Sequence, residues 1–145
     1  MGRFVKAERD RFVVATKYTL RAGNADQADP NGGGNQRKNL RQTVEASLKR
    51  LDTDHIDLLW LHMWDDTTPI EEVLRGLDDL VRQGKVLYLG VSDTPAWVAS
   101  HAVAIAELRG WSRFVGLQLP YHVGRRDPER ELLPMAKARE LAVTP

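Results

Sequence analysis

Two side chains in this sequence could act together on a carbonyl group. Lys17 closes the β-branched run RFVVATK (11–17), and His62 closes the apolar run IDLLWLH (56–62). A neutral imidazole can donate a hydrogen bond to a carbonyl oxygen. An ammonium group close to a proton donor lowers that donor's pKa, which permits acid catalysis near neutral pH. Two further runs end the same way. VLYLGVS (86–92) finishes at Ser92-Asp93, and FVGLQLPY (114–121) carries Gln118 late in the run and Tyr121 at its end.

Each group has an ordinary explanation when taken alone. A lysine after a strand is commonly a solvated charge, and a histidine there is commonly a hydrogen-bonded structural residue. Ser92 and Asp93 could only cap the segment that follows, and Gln118 could only tie down a loop. A buried polar group without a partner costs about 1–3 kcal/mol. Polar groups at all four ends of otherwise apolar runs are explained more economically by one shared polar mouth.

The elements that must position these residues can be read from periodicity. Leu40, Val44, Ser47, Leu48 and Leu51 recur at helical spacing in LRQTVEASLKRL (40–51), with Asn39 expected as the N-cap. Thr68-Pro69 opens a helix whose stripe is Ile70, Val73, Leu74, Leu77, Leu80 and Val81, with Gly84 as its stop. Thr94-Pro95 opens AWVASHAVAIAELRG, which stops at Gly110. ERELLPMAKARELA (129–142) is a further helix, and the final Val-Thr-Pro has the character of a fifth strand. Apolar strands alternating with amphipathic helices predict an α/β fold with parallel strands, about four βα units in all. A doubly wound sheet and part of a (β/α)8 barrel both satisfy that pattern. In either, chemistry gathers at the carboxyl ends of the strands.

Composition excludes several alternatives. The 145 residues are 42% hydrophobic with a net charge of +1, which fits one globular domain spanning 1–145. Acids and bases are interspersed, so no nucleic-acid partner is expected. No apolar run is long enough to span a membrane, and the charged start MGRFVKAERDR is unlike a signal peptide. The absence of cysteine removes disulfides and thiolate metal sites and agrees with a cytoplasmic location. His55, His101 and His122 lack metal-ligand spacing, so no metal site is expected. The strand at 11–17 is not followed by G-x-G-x-x-G, which disfavours a Rossmann nucleotide site. Gly32-Gly33-Gly34 lacks the Lys-Ser or Lys-Thr of a phosphate loop. Asp65 and Asp66 are adjacent and point apart in a loop. Trp60 and Trp64 flank His62, either walling a cleft or packing the core.

Taken together, VVATK, LKRLDTDHIDLLWLH, GLDDLVRQGKVLYLGVSD and LQLPY resemble the aldo-keto reductase family, in the family's order and over nearly the whole chain. The resemblance implies part of a (β/α)8 TIM barrel, from about its third strand to the start of its seventh. It implies an oxidoreductase that reduces small aldehydes and ketones with NADP(H). Lys17 would match the family's catalytic lysine and His62 its catalytic histidine. Ser92, Asp93 and Gln118 would match the residues that hold the nicotinamide carboxamide. Asp93 replaces a more usual asparagine and, when ionised, can only accept a hydrogen bond. Asp57 would be structural.

The family's proton-donating tyrosine and its aspartate partner would precede the strand of Lys17. Tyr18 follows Lys17 directly and is no substitute, and Tyr121 has no such role. The chain is therefore expected to be a fragment, inactive alone, with open strand edges that favour self-association. Two other readings remain: a half that complements another chain, and a non-catalytic binding module. The loop at 20–38 is expected to border the mouth and influence specificity.

Overall fold

The computed structural model describes residues 2–21 and 29–145. Part of the 20–38 loop, residues 22–28, lies outside the described residues. A short helix α1 (Gly2–Val5) and a 3-10 segment (Lys6–Arg11) lead into strand β1 (Ala15–Tyr18). Then follow α2 (Arg37–Leu51), β2 (Ile56–Leu61), α3 (Ile70–Arg82), β3 (Val86–Ser92), α4 (Ala96–Arg109) and β4 (Phe114–Gln118). A 3-10 turn (Asp127–Glu129), α5 (Leu132–Ala138) and β5 (Ala142–Thr144) complete it. The five strands pair in parallel in the order β1-β2-β3-β4-β5, the arrangement of part of a (β/α)8 barrel.

One face of the sheet is covered by helices. Leu59, Leu61, Leu89, Val91, Phe114 and Leu117 from the strands meet Val44, Leu48, Val73, Leu74 and Leu77 from α2 and α3. Each such side chain contributes roughly 1.5–3 kcal/mol on burial. Helix α4 presents Ala99, Ala102 and Ala106, all fully buried. Short side chains there let the helix lie close to the sheet.

Several boundaries differ from the sequence reading. Helix α2 begins three residues early, because Gln36 rather than Asn39 caps it: the Gln36 Oε1 accepts from the Asn39 N–H at 2.6 Å. Asn39 is buried, and its Nδ2 donates to the Gly34 carbonyl at 2.7 Å. Thr68 does not cap α3; its hydroxyl donates to the Asp65 carboxylate at 2.9 Å. Gly84 and Gly110 do stop their helices, at φ +70° and +63°, where a glycine carries no Cβ penalty. Strand β4 ends at Gln118 rather than Tyr121, since Pro120 has no N–H to offer the ladder. Helix α5 is shorter than 129–142, and Ala142 already belongs to β5.

Asp57 fastens the base of the sheet. Its Oδ2 accepts from the Val14 N–H at 2.8 Å and from Arg9 Nη2 at 2.5 Å. Burial pushes its pKa up, but the Val14 and Arg9 hydrogen bonds and the Arg9 charge outweigh this and leave it below the ordinary value.

Candidate active site

Register decides which side chains share a face. In parallel strands, residues opposite one another point the same way, and the face alternates along each strand. Lys17 is opposite Trp60, Trp60 is opposite Gly90, and Gly90 is opposite Gly116. One row further toward the carboxyl ends, Ser92 is opposite Gln118 and Gln118 is opposite Thr144. His62 follows Trp60 by two residues and joins this upper row; its N–H still donates to the Tyr18 carbonyl at 3.2 Å. All four strand ends thus turn their polar residues to the face opposite the helix layer.

Trp60 makes the floor. Its indole lies over Gly90 and Gly116; a Cβ on Gly116 would come within 3.2 Å of the ring, and one on Gly90 would overlap it. Trp60 is only 6% exposed. It therefore packs in the interior beneath the mouth, and Lys17, His62, Ser92 and Gln118 stand beside or above it. A glycine inside an apolar strand is the sequence signal for such an approach; the register shows that Trp60 is what approaches.

The charges are arranged around His62. Burial, then the Lys17 ammonium, hold the imidazole's pKa below its ordinary value, while the Asp93 carboxylate opposes them. A neutral ring at physiological pH is a hydrogen-bond donor at one nitrogen and an acceptor at the other. Lys17 is half-buried beside it. Electrostatically, a carbonyl oxygen here would meet two donors, one of them cationic.

Ser92, Asp93 and Gln118 form the other side. Ser92 is buried at 7% exposure, and its carbonyl accepts from the Thr94 hydroxyl at 2.7 Å. Neither Ser92 nor Asp93 caps α4 through its side chain; Pro95 holds the cap position. Asp93 is exposed and takes a left-handed φ of +38°. The Gln118 Oε1 is buried and has no protein partner among the described residues. A recess of about 250 Å³ opens here, lined by Asp93, Thr94, Gln118, Leu119, Arg125 and Asp127. A buried amide oxygen lacking a donor fits a ligand that brings an N–H group, as a carboxamide does. A larger groove, about 770 Å³, runs between α2 and α3 on the outer side and includes none of these residues.

Neither Tyr18 nor Tyr121 enters the mouth, and Tyr88 lies on its face one row below Trp60 and Gly90. Tyr18 is buried on the helix side of β1, at 1% exposure. Tyr121 lies past the end of β4 and donates to Glu129 Oε1 at 2.7 Å. Sequence reading missed Asn35, which joins the two loops that follow β1 and β2. No periodicity or motif marks it, because it sits in a glycine-rich loop.

Five parallel strands in sequential order, alternating with helices, form part of a (β/α)8 barrel, with the polar residues at the strands' carboxyl ends. The sequence model of the Aldo/keto reductase family matches residues 1–145, and the chain belongs to that family. It is 45% identical over 142 residues to a norsolorinic acid reductase of Aspergillus flavus, covering 97% of this chain and 37% of that protein. It is 43% identical over 145 residues to an aryl-alcohol dehydrogenase [NADP(+)] of Phanerodontia chrysosporium, covering 97% of this chain and 38% of that protein. The chain therefore spans well under half the length of these curated relatives. Among the described residues, no helix is long and apolar enough to cross a membrane.

Proposed function

We propose that this chain carries the carbonyl-facing and nicotinamide-facing residues of an NADP(H)-dependent oxidoreductase that interconverts carbonyl compounds and alcohols. The observation that supports this reading is the pairing of Lys17 and His62 on adjacent strand ends, with burial and the lysine charge together favouring a neutral imidazole. His62 donates to the substrate's carbonyl oxygen and orients it. Lys17 stabilises the negative charge that develops on that oxygen as it becomes an alkoxide. A preorganised donor of this kind contributes on the order of 3 kcal/mol. When bound, the nicotinamide supplies the hydride. Gln118 Oε1 and the Asp93 carboxylate would hold its carboxamide by accepting from the NH₂ group, with Ser92 beside them. The relative named as an aryl-alcohol dehydrogenase supports an aryl aldehyde or alcohol as substrate.

The proton donor is the missing partner in this scheme, since Tyr18 and Tyr121 both point elsewhere. The chain by itself is inactive on this reading. On this reading, further parallel strands would cover its sheet face bearing Tyr88, which is 59% exposed, and would complete its β1 and β5 edges. Without them, the edges favour self-association. The cysteine-free composition supports a cytoplasmic location.

Fluorescence titration of NADPH against the purified 145-residue chain tests the reading. Saturable binding is expected, weakened at least about tenfold by Gln118→Ala, as for a lost hydrogen bond in a buried site. Binding that Gln118→Ala leaves unchanged would overturn the assignment of the recess.

A further inference from the structure

The two catalytic candidates sit where their strands stop pairing. The His62 N–H to Tyr18 carbonyl bond is the last ladder bond between β1 and β2, and both chains turn away beyond it. Thr19 makes that turn at φ +107°, which is strained for a β-branched residue, and it is 4% exposed. Something must hold the turn, or the ends carrying Lys17 and His62 would separate.

Asn35 supplies the hold. It stands in the loop before α2 with no exposed surface. Its Nδ2 donates to the Thr19 hydroxyl at 2.9 Å and to the Met63 carbonyl at 3.0 Å. Its Oδ1 accepts from the Asp65 N–H at 2.9 Å, and its own N–H donates to Asp65 Oδ2 at 2.7 Å. Thr19 is two residues past Lys17, and Met63 is the residue after His62. The Thr19 carbonyl is also held by the Gly34 N–H at 2.7 Å and by Asn39 Nδ2 at 3.4 Å.

The side-chain amide therefore continues the β1–β2 ladder by one rung where the backbone can no longer do so. An amide is suited to this because it is planar and offers two donors and an acceptor, as a stretch of backbone would. A fully satisfied buried network of this kind is rigid. We infer that Asn35 is a positioning residue that fixes the separation of Lys17 and His62, acting through Thr19 and Met63 without touching substrate or cofactor. The inference rests on the pairing of Lys17 with His62 proposed above.

The readout is the imidazole titration of His62, followed by NMR in the 145-residue chain, because it senses position without requiring turnover. The charged groups acting on the ring are Lys17 from β1 and Asp93 from the end of β3. Lys17→Met removes a charge that disfavours protonation, so the midpoint must move up. Asn35→Ala is expected to move it in the same direction, by letting the ring leave its half-buried position beside Lys17. Thr19→Val removes one of the two Nδ2 acceptors and is expected to give a smaller shift of the same sign; it decides the matter if Asn35→Ala does not fold. Val44→Ala, a core change on α2 that lowers stability without touching the network, is expected to leave the midpoint in place. If Lys17→Met shifts the midpoint while Asn35→Ala and Thr19→Val leave it where it is, the positioning role is overturned. A shift with Val44→Ala equal to that of the other two would overturn it as well. If Lys17→Met itself causes no shift, the pairing of Lys17 with His62 fails instead.

Discussion

The indole of Trp60 lies across the backbone of Gly90, in the space that a side chain at that position would need. The contact separates the polar rim of the sheet from the exposed lower part of the same face. It also fixes how deep the mouth is, since the ring spans from β2 across β3 to Gly116 on β4.

Gly90→Ala should therefore be destabilising by about 1–3 kcal/mol, the usual cost of forcing a methyl into a filled space. Gly116→Ala should cost less, because its Cβ would sit 3.2 Å from the ring and a small tilt relieves the contact. Urea denaturation of the two variants gives the comparison. Equal effects would mean the indole is not held in place against β3.

Asp65 ties the loop after β2 to the loop before α2, and its ionisation should matter to stability. Burial pushes its pKa up, but hydrogen bonds from the Asn35 N–H and from Thr67 and Thr68 outweigh this and leave it below the ordinary 3.8. The folded state thus holds the carboxylate more tightly than the unfolded chain does. Its contribution is complete above the ordinary carboxylate range and is lost as pH falls through the lower folded value. Asp65→Asn should reduce stability by about 1–3 kcal/mol at neutral pH. It should also flatten the loss of stability with acid below about pH 4. Denaturation midpoints at a series of pH values would show both; a parallel decline in wild type and variant would contradict the second.

Tyr18→Phe should be neutral or stabilising by up to about 1 kcal/mol. The phenol is buried on the helix side with no partner for its oxygen among the described residues, and removing an unpaired polar group recovers its desolvation cost. Burial, then the Asp65 carboxylate, push its pKa up, so it stays protonated. Thermal unfolding of the variant is the check. A drop in melting temperature of several degrees would show that the hydroxyl is satisfied after all.

Near-continuous apolar runs place β1 to β4, because burial on a parallel sheet writes itself as hydrophobicity, and amphipathic spacing places the helices α2 to α5; the three residues of β5 are exposed, so burial leaves no such mark on them. The ends of elements were less legible. Gln36 outcompetes Asn39 as a cap because Asn39 is drawn into the buried bonds around Gly34, a tertiary demand that local sequence does not display. Thr68 is likewise diverted to Asp65. The polar ends at Lys17, His62, Ser92 and Gln118 were visible because each interrupts an apolar run. Asn35 was invisible because it interrupts nothing: it lies among glycines and amides, and its role comes from residues at 19, 63 and 65. Trp60 could be assigned to the floor only after register had put it opposite Gly90.

The sequential strand order carries a consequence for how the chain is made. Ala15 pairs beside Leu58, Leu58 beside Tyr88, and Gly90 beside Gly116. Each strand's first neighbour is always the one synthesised immediately before it, and no strand must be inserted between two that are already paired. On the ribosome, the sheet can grow from one side in the order of translation, each new βα unit using the last as its template.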